Sequence, residues 1–320
     1  MLRKHAYLAT FLAFMTPAIA QDFPNKSVQI IVPSSPGGIS DTAARIIGDG
    51  LSKLWGQSVV VENRPGGGGS IGTGIARKAK PDGYTLLVTT NGEFALNPVI
   101  YPNLPYDPNK DFLPLVLGTY NKIAVVANAS SPYNTFQDFV AAAKQKPGSI
   151  SWASAGSGTW NHLAGELMAS EVGIKLIHVP YKGGGPASTA VAGGDVPIGL
   201  LSISSVLPHI KSGKVKVLAV TAKDRSTFDK SWPTVAELGF PNVDATNWVG
   251  FFAPVGVPKT VADKIEADVR RVLNDPEMQQ RFTAMAIEPS GAGSSELTQI
   301  IRADRARAER VAKEANIRVD

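Results

Sequence analysis

The 320-residue sequence contains no cysteine. Disulfides, thiolate metal sites, thiol nucleophiles and a lipid-modified N-terminal Cys are thereby excluded. A dominant charge of one sign is missing too: 32 Lys and Arg stand against 27 Asp and Glu, interleaved along the chain, for a net charge of +5. Without a clustered basic face or stacking aromatics, no nucleic-acid partner is expected. His and carboxylate pairs at ligand spacing, such as H-E-x-x-H or D-x-D-x-D-G, are absent, so neither a metal nor a cofactor is expected. Beyond the N-terminus no apolar run approaches the ~20 residues that a membrane span needs.

At the N-terminus, Arg3 and Lys4 precede an apolar run from Ala6 to Met15, then Pro17 and the small-x-small ending Ala18, Ile19, Ala20. This pattern reads as a secretory signal peptide over 1–20, cut before Gln21, which makes the mature chain an exported, soluble protein. An N-terminal membrane helix is the alternative, but the run is too short for it. At 43% apolar and 18% charged the chain is globular, and its length suggests two domains or one large one. Its 31 Gly and 23 Pro exceed the roughly 12% that these types ordinarily supply, as many tight turns between short elements require.

Short apolar runs alternate with helix-period segments. VQIIVP (28–33), VVVE (59–62), TLLVTT (85–90), IAVVA (123–127), ISWASA (150–155), KLIHVPY (175–181), PIGLLS (197–202), VKVLAVT (215–221) and WVGFFAP (248–254) read as strands. Ala43, Ile47, Leu51 and Leu54 mark one helical stripe, and Val261, Ile265, Val269 and Leu273 another; a last helix opens at Ser294 and Ser295. Continuously apolar strands interspersed with helices predict an α/β fold of mostly parallel sheets flanked by helices. The Pro- and Asn-rich stretch 97–112 reads as an extended connection, and long connections near 112–122 and 242–250 as crossings between two lobes. Lobe one then comprises 21–121 and 248–320, and lobe two 122–247.

In parallel α/β sheets ligands sit beyond the carboxyl ends of strands, at unpaired helix N–H groups. Three turns fit: Ser34 to Asp41, Ser154 to His162, and Tyr181 to Ser188, each rich in Gly or hydroxyls and each opening a helix. One such turn signifies only a tight corner; three spread over two lobes favour a clamp around an anion. The run Gly66 to Gly72 matches both G-x-G-x-x-G and G-x-S-x-G. Arg64 and Pro65 lengthen the turn beyond a dinucleotide fingerprint, and an exported serine esterase built on Ser70 would need one of His162, His178 or His209 as its base. Phe94, Tyr120, Trp160, Tyr181 and Trp248 lie at strand ends or beside the Gly turns, where two or three could sandwich a ring.

Taken together, VPSSPGGISDTAAR, VVVENRPGGGGSIG, KPDGYTLL, NPVIY with PYDPNKDF, SAGSGTWNHLAGELM, HVPYKGGGPA, LPHIKSGKVKVLAVT and WVGFFAPVGVP resemble the Bug family, the solute-binding proteins of tripartite tricarboxylate transporters. The resemblance runs through nearly the whole mature chain. It implies a two-lobed, Venus-flytrap, periplasmic-binding-protein fold and no enzymatic activity. It also implies a small carboxylate guest, delivered to membrane permease subunits, and a monomer; a sensor kinase ectodomain is a second possible recipient. Family members grip the carboxylate through backbone N–H groups, hydroxyls and waters at the turns matching 34–41 and 154–162.

The expected lobe-one wall is therefore Ser34, Ser35, Gly37, Gly38 and Asp41, with Asn91 and Phe94 after TLLVTT. The expected lobe-two wall is Ser154, Ala155, Ser157, Gly158, Thr159, Trp160, His162, Tyr181, Gly183 and Ser202. Against the family pattern, Ser34 replaces an aromatic residue and Leu201 an acidic one. The first substitution is expected to enlarge the pocket and the second to disfavour a ligand ammonium. An aliphatic dicarboxylate or an aromatic mono- or dicarboxylate is the expected guest.

Overall fold

The computed structural model describes residues 23–315 and 317; the expected leader and its cleavage position lie outside them. The chain starts as β1 (Val28–Val32), α1 (Ile39–Trp55), β2 (Val59–Asn63), α2 (Ser70–Ala76) and β3 (Thr85–Thr90). β1 lies in parallel between β2 and β3. Val28, Ile30 and Val32 are fully buried, as a run without polar alternation demands when both faces are covered. Along α1, Ala43, Ile47 and Leu51 are buried on the sheet side. The helix stops at Gly56, whose left-handed backbone returns its N–H to Ser52 O.

A short helix α3 (Asn97–Ile100) precedes β4 (Phe112–Asn128), followed by α4 (Phe136–Gln145), β5 (Ser151–Ser154), α5 (Trp160–Val172), β6 (Ile177–Pro180), α6 (Gly184–Gly193), β7 (Ile198–Ser202), α7 (Ile203–Lys211) and β8 (Val215–Val220). The chain then returns through β9 (Thr246–Pro254), α8 (Lys259–Leu273), α9 (Pro276–Ala284), β10 (Glu288–Gly293) and α10 (Ser294–Glu314).

β4 is the backbone of the molecule. From Phe112 to Lys122 it pairs with β9, and β10 covers Val116 to Tyr120 from the other side. From Ile123 onward it pairs with β7 and β8 instead. The strand order β2-β1-β3-β9-β4-β7-β5-β6 is thus two sheets sharing one strand, the two-lobed α/β architecture. Pairing is parallel among β1, β2 and β3 and among β5, β6 and β7, and antiparallel wherever β4 and β9 cross between lobes.

Two expectations are corrected here. The crossings between lobes are strands rather than loose connections at 112–122, which belongs to β4, and at Thr246 and Asn247, which extend the expected strand 248–254 into β9; register shifts at Pro114/Val116 and Leu117/Thr119 break the period-two pattern that would have revealed β4. Within 97–112, Pro98 sits in the first turn of α3, where its missing N–H costs nothing. β10, with sequence EPSGAG, carries no apolar signal and is a strand only because β4 offers it an edge.

α10 lies across both lobes. Its Leu297 and Ile301 pack with Phe94, Trp248 and Phe252, while Ala308 and Val311 join the core formed around Leu163 and Leu167 of α5. Between these, buried Asp304 accepts hydrogen bonds from Trp248 Nε1 (2.8 Å) and Asn91 Nδ2 (3.3 Å) and pairs with Arg307.

Candidate functional site

Four helices of nine or more residues, α1, α5, α6 and α7, begin at one cavity of about 610 Å³ between the lobes. Each presents first-turn N–H groups with no partner inside the helix, the arrangement that attracts anions. Of the expected residues, Ser34, Ser35 and Gly38 line it from lobe one; Ala155, Ser157, Gly158, Thr159, Trp160, Tyr181, Gly183 and Ser202 line it from lobe two.

The other six lie behind that lining. Gly37 turns with positive φ and donates its N–H to Asp41 Oδ2 at 2.9 Å. Asp41, buried, also pairs with Arg45 (2.9 Å) and accepts from Asn63 Nδ2 (3.0 Å). Burial pushes its carboxyl up, but the hydrogen bonds from Arg45, Gly37 and Asn63 outweigh this and hold it below the usual carboxylate range. Asn91 is spent on Thr246 O (3.0 Å) and Asp304. Phe94 stacks on Phe252 in the core, with centroids 3.8 Å apart, so it offers no face to a guest.

Ser154 and His162 support the lobe-two turn from beneath. Ser154 Oγ lies 2.7 Å from His178 Nε2 and accepts from Gly156 N–H at 3.0 Å. His162 stacks on His178 at 4.1 Å, and its Nδ1 accepts from Gly158 N–H. Burial lowers His162 to about 4, and burial plus the neighbouring His162 lowers His178 to about 3, so both rings are neutral and free to accept. Thr159 caps α5, its Oγ1 receiving His162 N–H.

Ser70 is buried at the start of α2, and no hydrogen bond joins it to a histidine among the described residues. The triad that an esterase requires is not assembled there. Leu201 points into the core beside Ala124, Val126 and Val206, while Ser202 reaches the cavity. Strand alternation therefore removes Leu201 from any role toward a ligand ammonium. Among the described residues no group of three or more His, Asp or Glu could hold a metal, and no helix is long and apolar enough to cross a membrane.

The model of the tripartite tricarboxylate transporter family receptor matches residues 43–317. This chain belongs to that family. The receptor is 32% identical to a solved periplasmic binding protein, BugD, with a TM-score of 0.86 over 92% of this chain and 99% of that one. It is 31% identical to R. palustris Rpa4515, solved with adipate (TM-score 0.89; 93% and 99% covered). With MatC from Rhodopseudomonas palustris, solved with bound malate, identity is 30% and the TM-score 0.83 over 90% and 99%. The family and these structures are solute-binding proteins.

The receptor's cavity also contains residues outside the expected walls. Lys182 before α6 and Gly184 to Pro186 at its start belong to the expected turn 181–188; Pro65 to Gly69, Thr90, Gly92 and Glu93 line the lobe-one side, and Ser205 and Asn247 complete the lining. Asn247 Nδ2 donates to Asn161 Oδ1 (3.3 Å) and Ser202 Oγ (3.2 Å), and Asn161 Nδ2 to Leu200 O (3.1 Å), linking crossing strand β9 to the first turn of α5. The available signal for Asn247 was a polar residue directly preceding the apolar run Trp248 to Pro254 of β9. For Glu93 it was an acid immediately beyond a buried strand end.

Proposed function

We propose that this receptor captures a small organic carboxylate, an aliphatic dicarboxylate foremost, between its lobes in the periplasm and hands it to the membrane permease of a tripartite tricarboxylate transporter. The carrying observation is the convergence of four helix N-termini on one cavity without an arginine in its lining. Hydrogen bonds to a charged group contribute ~1.5–3 kcal/mol each, so four or five supply the ~8 kcal/mol of micromolar binding after ordering costs. Lobe boundaries near 121/122 and 247/248 are supported by the partner switch of β4 after Lys122 and the return of β9 at Thr246. Two crossing strands make a hinge about which capture stabilises a closed state.

An aliphatic guest is favoured over an aromatic one because Phe94 belongs to the core and Trp160, though in the cavity lining, is only 1% exposed, leaving Tyr181 as the more exposed aromatic there. Adipate and malate in the solved relatives support the same class. Export through the segment 1–20 accords with a periplasmic site of action.

Thermal-shift screening of malate, adipate, benzoate and aspartate tests the proposal. A guest at a hundred times its Kd adds about 2.7 kcal/mol to stability, a shift of several degrees. Stabilisation by dicarboxylates is expected; stabilisation by amino acids alone overturns the assignment.

A further inference from the structure

We propose that Glu93 recognises the second carboxylate of a two-ended guest by sharing a single hydrogen with it, so that capturing a dicarboxylate keeps one proton in the cleft. This rests on the carboxylate-receptor function above and adds to it a polarity and a proton.

Glu93 and Lys182 are the charged side chains in the cavity lining, and they come from opposite lobes. Lys182 is exposed, whereas Glu93 is 7% exposed. Glu93 Oε2 already accepts twice, from Thr90 Oγ1 at 2.6 Å and from Thr90 N–H at 3.2 Å. Thr90 Oγ1 is itself fixed by Gly92 N–H at 3.1 Å. Oε1 has no hydrogen-bond partner among the described residues, so a hydrogen bound to this carboxyl belongs on Oε1. The last glycine of the Gly66 to Gly69 run is explained by the same contact: a Cβ on Gly69, where φ is +87°, would collide with Glu93 Oε1. Only glycine lets the loop pass the acid.

The groups around Glu93 leave it without a cation. Tyr106 OH donates to the Glu93 main-chain oxygen at 2.6 Å, and Tyr101 stands behind Gly68. Burial and the nearby Glu93 carboxyl push both phenols up, so they stay neutral. From α10, Arg305 goes to Phe94 O (2.7 Å) and Asp304 to Trp248 and Asn91. Among the described residues no ion pair reaches the Glu93 carboxyl, and burial pushes it up. Two carboxyl groups at hydrogen-bonding distance in such a place cannot both ionise; they share one proton. The guest's other carboxylate then belongs at the helix N-termini. A single-ended acid leaves the Glu93 hydrogen unused.

Titration calorimetry of the mature chain with adipate and with hexanoate, its one-carboxylate counterpart, tests this from pH 6.5 to 9. At pH 6.5 adipate is expected to bind at least tenfold more tightly than hexanoate. Adipate affinity should fall about tenfold per pH unit once Glu93 ionises in the empty protein, since the complex holds the proton more tightly, while hexanoate affinity stays level. E93L, with no donor, should lose the adipate preference at every pH. E93Q, with an amide N–H in place of the acid O–H, should restore it and remove the pH dependence. A level wild-type adipate profile overturns the proposal, as does a more than tenfold gain for E93Q at pH 6.5, which would mean that an ionised Glu93 repels the guest. Equal binding of adipate and hexanoate removes the Glu93 role and leaves the carboxylate receptor standing. Binding of neither, nor of any acid in the screen, removes both.

Discussion

The two helix-opening turns that face each other across the cleft, 34–41 in lobe one and 154–162 in lobe two, look alike in sequence and differ in electrostatics. In lobe one the first turn of α1 holds its own carboxylate: Asp41 takes the Gly37 N–H and pairs with Arg45. An ionised acid there offsets much of the charge that a helix N-terminus could offer a guest. Lobe two has no acid in the first turn of α5, and its turn is braced from below by the neutral pair His162 and His178. On the proposed function, lobe two would supply the open anion-binding amides, while lobe one would supply shape and, through Glu93, a second polar group.

The largest effects should come from damaging the lobe-two turn. Gly158 has φ +75°, and a Cβ there would meet Ile100 Cδ1 at 3.1 Å and Tyr101 Oη at 3.3 Å. Gly158→Val therefore combines a left-handed β-branched residue with a wedge between the lobes. We expect adipate affinity to drop about a hundredfold or more with the circular dichroism spectrum unchanged, on the scale of ~1.4 kcal/mol per tenfold. Gly37 has a similar φ of +81° but open space around it. Gly37→Ala should cost only backbone strain, ~1 kcal/mol of stability, and leave affinity within about threefold. Equal losses in the two variants would break the asymmetry.

Acid should sort the lobes as well. A His held at about 4 or 3 in the native state takes up protons near 6.5 when unfolded, so the stability it contributes is complete above pH 6.5 and declines as pH falls toward about 4. The Asp41 contribution has the same sign and a more acidic window. Its carboxyl is held below the ordinary value near 3.9, so its contribution persists above that value and is lost only in stronger acid. Between pH 6.5 and 4.5, His162→Phe should be less acid-sensitive than wild type by on the order of 2 kcal/mol in urea titrations. Asp41→Asn should keep the wild-type slope. A steep slope retained in His162→Phe would remove the neutral-histidine brace from the account.

Removing the lobe-one carboxylate should also sharpen the binding side of the comparison. Asp41→Asn breaks the pair with Arg45, whose side chain is half exposed, at a cost of about 0.5–1 kcal/mol. It also uncovers the N-terminus of α1, and we expect a twofold to fivefold gain in adipate affinity at low salt. An unchanged or lower affinity would mean that α1 does not face the guest's charge.

How much of this was legible follows from what each residue answers to. Strands such as VQIIV and helices such as α1 announce themselves because burial on two faces or on one stripe leaves a periodic trace. The Gly- and Ser-rich corners were visible for the same local reason, since left-handed backbone and close approach restrict residue type. Asn91 and Phe94 were misplaced because their partners, Asp304 and Phe252, are distant in sequence and fill space that a local reading leaves open. His162 and Ser154 were recognised as belonging to the turn, but whether a side chain faces the cavity or braces it depends on His178, brought alongside by the β5–β6 pairing. Glu93 was missed because a buried acid in an anion site contradicts simple charge matching until its hydrogen bonds are seen.

A small effect is expected at the most conspicuous charge. Lys182 lines the cavity beside the N-terminus of α6, yet it is exposed, and an exposed ammonium in high dielectric contributes about 0.2–1 kcal/mol to a nearby anion and is screened by salt. If main-chain amides carry the guest, Lys182→Gln should weaken adipate binding by no more than about threefold to fivefold. Most of that loss should appear as a slower association rate that converges with wild type as ionic strength rises. The dissociation rate should barely change if the guest is held by main-chain amides of the turn 154–159 and of the first turn of α5. A loss approaching a hundredfold in Lys182→Gln, persisting at high salt, would transfer the anion site from the helix termini to a fixed cation.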